Sequence, residues 1–283
     1  MRTLLVPTDF SKGSLEAVKY AIQFAEKTER KILFFHSTFI LIPTRSSNTA
    51  YLHAVQSNKV NKLKQLITFI NKAYISVNIK RDESRTKFLV KHDHNAVDSI
   101  LETLNEQFID LIVMGTHGAT GFRKVLLGSN TAKIIEQAYC PVLAIPAKYK
   151  YKPIKRISYA ASDIEKLAKE LKKVIEIANK FDAVIDVVHI VGGTKSNIKL
   201  ENIDPGKTLS NLTRQLKFHK LHLYIIDGKE KPLVQELNRF VKHQKSELLI
   251  MLTAKRSFFD KMFNSSQTKE LAYNLNIPLL AIK

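Results

Sequence analysis

Between Met114 and Asn130 the chain reads MGTHGATGFRKVLLGSN, and Gly115, Gly118, Gly128 and Ser129 in it form the pattern G-x-x-G, nine residues, G-S. Glycine lets main-chain amides approach a ligand with no side chain in the way, and amides clustered at a helix start attract anions. The chemistry this spacing suits is a phosphate cradle. It is not a P-loop, since no Lys-Ser or Lys-Thr pair follows the second glycine of a G-x-x-x-x-G, and it is not G-x-G-x-x-G.

The elements that must position the cradle follow from periodicity. ILFF and LIVM are short continuous apolar runs, the mark of strands buried on both faces, whereas Val18, Ala21, Ile22 and Ala25 recur at helical spacing. Strands are expected near 2–6, 31–37, 86–91, 110–114 and 142–145, with helices over 11–28, 51–73, 95–107 and 129–138. Strict alternation of strand and helix implies a parallel α/β sheet with right-handed crossovers. In such a sheet ligands lie beyond the carboxyl ends of the strands. Asp9 and Gly115 each follow a strand directly and meet there.

The chain then repeats itself. The segment from Leu111, LIVMGTHGATGFRKVLLGSNTAKIIEQAYCPVLAIP, lies without gaps over the segment from Leu248, LLIMLTAKRSFFDKMFNSSQTKELAYNLNIPLLAIK. RTLLVPTD from Arg2 lies over RISYAASD from Arg156, which sets Asp9 on Asp163 and brings His36 near His189. The expected organisation is a first domain over 1–146, a linker over 147–153 and a second domain over 154–283, the latter with strands near 156–159, 184–190, 222–226, 248–252 and 279–282. Residues 192–215, with Asp204-Pro205-Gly206, read as a loop holding a short helix. Asp163 reads as structural, inside a capping-box pattern of Ser162 and Glu165. In the second copy Leu252, Lys255 and Ser265 replace Gly115, Gly118 and Gly128. Their side chains fill space a triphosphate needs, and they resist positive φ if the glycines adopt it.

Composition bounds the function classes. A chain of 283 residues with 45% hydrophobic content buries a good core. Cys140 is the single cysteine, which excludes a disulfide framework or a zinc cluster built on thiols. No run of eighteen apolar residues and no signal-peptide pattern is present, so the sequence reads as cytoplasmic with no membrane association. The formal charge of +19 is the strongest argument for nucleic acid. Its residues fall singly on helix faces, as at Lys59, Lys62 and Lys64, and no RNA-recognition motif or zinc finger accompanies them.

The glycine pattern, with Met-Gly-Thr before it and CPVLAI after it, closely resembles the ATP-binding signature of the universal stress protein family, and the resemblance extends over nearly the whole chain twice. It implies two tandem Rossmann-like domains of the adenine nucleotide alpha hydrolase type, each an open parallel five-stranded sheet with helices on both faces. It also implies roles for the matching positions. Pro7, Thr8 and Asp9, at the end of the first strand, would contact the nucleoside. Thr38, after the second strand, would offer backbone groups to adenine, while Met114, Gly115, Gly118, Gly128, Ser129 and Asn130 would surround the phosphates of ATP. His117 and Arg123 are candidates for the outer phosphates. A triphosphate brings Mg2+ to many sites, with Asp9 a candidate indirect ligand. In the family, domains pair through their last strands. A tandem chain resembles that dimer built into one polypeptide, here through Val142 and Leu279, with further homodimerisation left open.

Each position also has a structural reading. Asp9 suits a helix start, and Ser129 suits the N-cap of the helix after it. No catalytic set is legible: G-x-S-x-G and H-E-x-x-H are absent, and His92-Asp93-His94 lacks a third metal ligand. The sequence therefore reads as a nucleotide-binding stress protein rather than an enzyme, with a degenerate second copy as structural partner. A scaffold for protein partners, a basic nucleic-acid binder and a slow ATP hydrolase are the other readings.

Overall fold

The computed structural model describes residues 2–40, 47–116, 128–191, 204–227, 233–252 and 276–283. The chain divides into two compact units, with the break between Tyr151 and Lys152.

In the first unit the elements run β1 (Thr3–Pro7), α1 (Lys12–Thr28), β2 (Lys31–Thr38), α2 (Asn48–Ser76), β3 (Thr86–His92), α3 (Ala96–Glu106), β4 (Leu111–Gly115), α4 (Ser129–Gln137) and β5 (Val142–Ile145). The five strands pair in parallel in the order β3-β2-β1-β4-β5. Chain order reverses between β1 and β4, so the sheet has a switch point beyond Pro7 and Gly115. Helices cover both faces, α1 packing with α2 and α3 with α4. Leu4, Leu5, Val6, Phe34, Phe35, Ile112, Val113, Leu143 and Ala144 are buried along the strands, as their unbroken apolar runs require.

Caps explain the helix starts. Ser11 and Ser47 accept from the amides of Ser14 and Ala50, and Asn95 accepts from Val97. Arg85, just before β3, reaches back to the carbonyls of Ala25 and Arg30, tying the C-terminal end of α1 to the entry of β3.

The second unit runs β6 (Arg156–Ala161), α5 (Leu167–Phe181), β7 (Val184–Val191), α6 (Pro205–Leu216), β8 (Leu221–Asp227), α7 (Leu233–Gln244), β9 (Leu248–Leu252) and β10 (Leu279–Ile282). Its parallel order, β8-β7-β6-β9-β10, repeats that of the first unit. No helix among the described residues, the 29-residue α2 included, is long and apolar enough to cross a membrane.

Three sequence expectations are corrected here. Asp204-Pro205-Gly206 does not mark a loop: Asp204 caps the amide of Lys207 and Pro205 opens the twelve-residue α6, where its missing N–H costs nothing. Ser162 does not cap a helix through Glu165. Helix α5 starts later, at Leu167, and the Glu165 amide is taken by Asp163 Oδ1 at 3.1 Å.

The third correction is one of register. Thr3 lies opposite Lys31 and Leu4 opposite Leu111, while Arg156 lies opposite Val184 and Ile157 opposite Leu248. Arg156 thus corresponds to Thr3, not Arg2, and Ser162 rather than Asp163 occupies the place of Asp9. The same shift makes His36 and His189 true counterparts. Each imidazole Nδ1 bonds a carbonyl of the neighbouring strand, Thr8 O at 2.8 Å and Ala161 O at 3.0 Å.

Candidate functional site

At the switch point of the first unit a cleft of about 190 Å³ opens between the ends of β1, β2 and β4 and the starts of α3 and α4. Eight of the expected residues line it: Pro7, Thr8, Asp9, Met114, Gly115, Gly128, Ser129 and Asn130. His117, Gly118 and Arg123 lie outside the described residues.

Gly128 is where glycine is needed, though not for the reason of positive φ. Its φ is −55°, open to any residue, and it occupies the N-cap of α4 with no side chain capping the helix. Ser129, expected as that N-cap, is the first residue of the helix proper. The constraint at Gly128 is proximity: a Cβ there would stand 3.0 Å from the Thr116 carbonyl oxygen, which accepts from the Gly128 amide. Thr131, buried, adds a second tie by donating Oγ1 to the Gly115 carbonyl at 2.9 Å. The strand end and the helix start are therefore clasped together. The amides of Ser129, Asn130 and Thr131, which have no intrahelical partner by helix geometry, sit at the cleft with the positive end of the helix dipole.

Opposite them lies the turn after β1. The Thr8 amide donates to Phe35 O, its hydroxyl pairs with Ser14 Oγ and accepts from the Phe10 amide, and its carbonyl receives His36 Nδ1. Asp9, exposed at the cleft, accepts the Ser11 amide on Oδ1 at 3.0 Å, which fixes its side-chain rotation. Burial holds the His36 pKa below its ordinary value, and Lys62 lowers it further against the opposing pull of the Thr8 carbonyl and Asp9. A neutral imidazole that donates from Nδ1 follows.

Thr38 does not line the cleft. Its hydroxyl donates to Asn58 and its carbonyl accepts from the Asp93 amide, so the groups expected to face a base are engaged elsewhere. Ser37, one residue earlier, lines it instead, with Phe35 and His36 and, from α3, Ala96 and Ile100. Sequence reading missed Ser14, Phe35, His36, Ser37, Ala96, Ile100 and Thr131. Only the alternation along β2 carried a signal for Ser37, and that signal is weak in a strand buried on both faces. His92 stacks on Phe39 at 5.7 Å between ring centroids, and His94 meets the same ring tilted, at 3.9 Å.

A polar rim of amides at a helix start, one carboxylate and an apolar wall of Phe35, Ile100 and Met114 suit a ligand with an anionic tail and a flat or apolar head. The family's sequence model, described as the universal stress protein family, matches residues 1–146. The chain belongs to the universal stress protein family. Two universal stress proteins of Methanocaldococcus jannaschii are among its relatives. One is 28% identical over 148 residues, 51% of this chain and 81% of that protein; the other is 31% identical over 157 residues, 52% and 96%. A solved universal stress protein from Archaeoglobus fulgidus aligns along 99% of this chain and 96% of its own, with a TM-score of 0.66 at 17% identity. That likeness shows the same two-domain α/β fold. The family match falls on the half that carries the cleft.

In the second unit Leu252 ends β9 opposite Ile282, as Gly115 ends β4 opposite Ile145, so it stands in the glycine's place. The counterparts of Gly118 and Gly128, Lys255 and Ser265, lie outside the described residues.

Proposed function

We propose that the chain is a nucleotide-binding stress protein that holds one ATP in the cleft of its first unit, with the second unit as a degenerate structural copy. The observation that carries this reading is the convergence of Asp9, Gly115 and the uncapped start of α4 on one cleft at the switch point. The triphosphate lies against the amides of Ser129 and Asn130, where dipole and donors both favour negative charge. The nucleoside lies toward β2 and α3, its ribose hydroxyls on the Asp9 carboxylate and its base between Ile100, Met114 and the Ser37 backbone.

Asp9 is the only carboxylate among the described lining residues, and no cluster of three or more metal-ligating side chains occurs among the described residues. This donor set fits Mg2+ that arrives on the phosphates rather than one held in a protein cage. The ion would offset phosphate charge there. Hydrolysis would need a water held in line with a phosphate, a step this reading does not invoke: the nucleotide acts as a switch or stabiliser.

Isothermal titration of the full chain with Mg-ATP tests this. The expected result is one equivalent per chain, lost when Asp9→Ala is combined with Gly128→Val. Two equivalents, none, or binding unchanged in the double variant would overturn the reading.

A further inference from the structure

Phe10 is strained in a way that nothing in the phosphate cradle explains. Its φ is +64°, a left-handed backbone in a bulky aromatic residue, which persists only where the surroundings enforce it. The surroundings are specific. The Phe10 ring lies 4.3 Å from the His36 ring and meets Phe69 edge-on at 5.4 Å, and Lys62 Nζ stands 5.7 Å over its face. His36 is itself pinned by the Thr8 carbonyl, and the Phe10 amide returns to Thr8 Oγ1 at 3.1 Å.

Asp9 is thus bracketed on both sides, by Thr8 locked into the sheet and by Phe10 clamped on the α2 side. The second unit keeps the histidine bond, His189 to Ala161, yet neither Ser162 nor Asp163 nor Ile164 there has positive φ, and Asp163 takes the place of Phe10. The bond between histidine and carbonyl belongs to the fold. The aromatic clamp belongs to the unit with the cleft.

We infer that Phe10 is a positioning residue which, packed on His36, aims the Asp9 carboxylate at the ribose hydroxyls and so sets a preference for ribonucleotides over 2′-deoxyribonucleotides. This rests on the nucleotide reading above. The α4 amides hold the phosphates whichever sugar is present, so the clamp acts on one end of the ligand only. A hydrogen bond from a hydroxyl to an ionised, oriented carboxylate is worth roughly tenfold in affinity. A carboxylate free to rotate with its turn loses most of that.

The test is titration of the full chain with ATP and with 2′-deoxy-ATP, in the native protein and in Phe10→Gly and Phe10→Tyr. Glycine accepts φ of +64° without strain and so removes the ring while sparing the backbone; tyrosine keeps the ring. The native protein is expected to favour ATP about tenfold, Phe10→Gly to bring the ratio near one with deoxy-ATP affinity unchanged, and Phe10→Tyr to restore it. A ratio unchanged in Phe10→Gly, or affinities for both nucleotides falling together, overturns the inference while leaving ATP binding intact. A native protein that binds neither nucleotide fails at the earlier step and takes this one with it.

Discussion

The clasp at Gly128 permits a prediction whose sign separates two physical accounts. At φ −55° and ψ 144° alanine is conformationally at ease, so Gly128→Ala in open space would stabilise the fold by about 0.4–1 kcal/mol through the unfolded chain. The added methyl instead meets Thr116 O at 3.0 Å, and that atom is backbone, already bonded to the Gly128 amide. Relief requires the strand end and the helix start to part by a few tenths of an ångström, weakening a hydrogen bond worth ~0.5–1.5 kcal/mol. The expected net change is a loss of about 1 kcal/mol, which lowers the melting temperature of a unit this size by roughly 2–4 °C. Moving the α4 amides by the same amount weakens charge-assisted bonds to phosphate, and ATP affinity falls about ten- to a hundredfold. Thermal melts without nucleotide and titration with ATP read the two effects separately. A variant that melts higher than the native protein, or one that binds ATP equally well, refutes the clasp.

Two further predictions concern the buried polar groups. Asp186 on β7 is fully buried between Arg156 Nη1 at 2.7 Å and His222 Nδ1 at 2.8 Å, and the corresponding residue of the first unit is Leu33. Because both partners remain partly hydrated, Asp186→Ala should cost about 2–3 kcal/mol in denaturant unfolding, below the range for wholly buried pairs, and Asp186→Leu clearly less; equal losses would show that the ion pair outweighs packing. His36 and His189 both have pKa values lowered by burial from 6.5, so each adds stability that is complete above about pH 6.5 and is lost as pH falls through the depressed value. Each can contribute up to ~1.4 kcal/mol per pH unit, but only over the interval between 6.5 and its depressed value. His189→Asn, which keeps a donor toward Ala161, should flatten the fall in melting temperature between pH 7.5 and 5.5, and an unchanged fall would place the acid sensitivity elsewhere.

Most elements were legible because both signals they need were present. Apolar runs marked the strands and helical spacing marked the helices, so β2, β4, β5, β9 and β10 lie within a residue or two of their expected places. The misreadings share a cause. A strand buried on both faces has no alternation, so nothing in its pattern fixes register. That is why matching arginine to arginine slipped β6 by one residue, and why Thr38 was nominated where Ser37 faces the cleft. The Asp204-Pro205-Gly206 segment shows the converse: two turn-forming residues also make a good helix entrance, and composition alone does not separate the cases. At the site, glycine positions were visible but not their reason, since the closeness of Gly128 to Thr116 is a contact across twelve residues of chain.

The difference between the two units then has a physical explanation. The strand interiors that hold a sheet together and the strand ends that hold a ligand are separate residues, so the fold can shed one set without loss of the other. The second unit keeps the strand order, the buried apolar runs and the bond from histidine to carbonyl, while leucine replaces glycine at the end of β9 and the aromatic clamp is missing. His189 makes the consequence plain. Its counterpart His36 lines the cleft, whereas His189 Nε2 is buried with no hydrogen-bond partner among the described residues, at a cost of about 1–3 kcal/mol. Among the described residues the second unit makes contacts the first lacks, including Arg156 to Asp186 and Ser158 to Ser246, in which Asp186 and Ser158 lie within strands. Positive φ at Glu29, Asp182 and Lys217 closes helix ends, whereas at Phe10 it falls in the turn beside the cleft, and Asp163, in the same place of the second unit, lacks it.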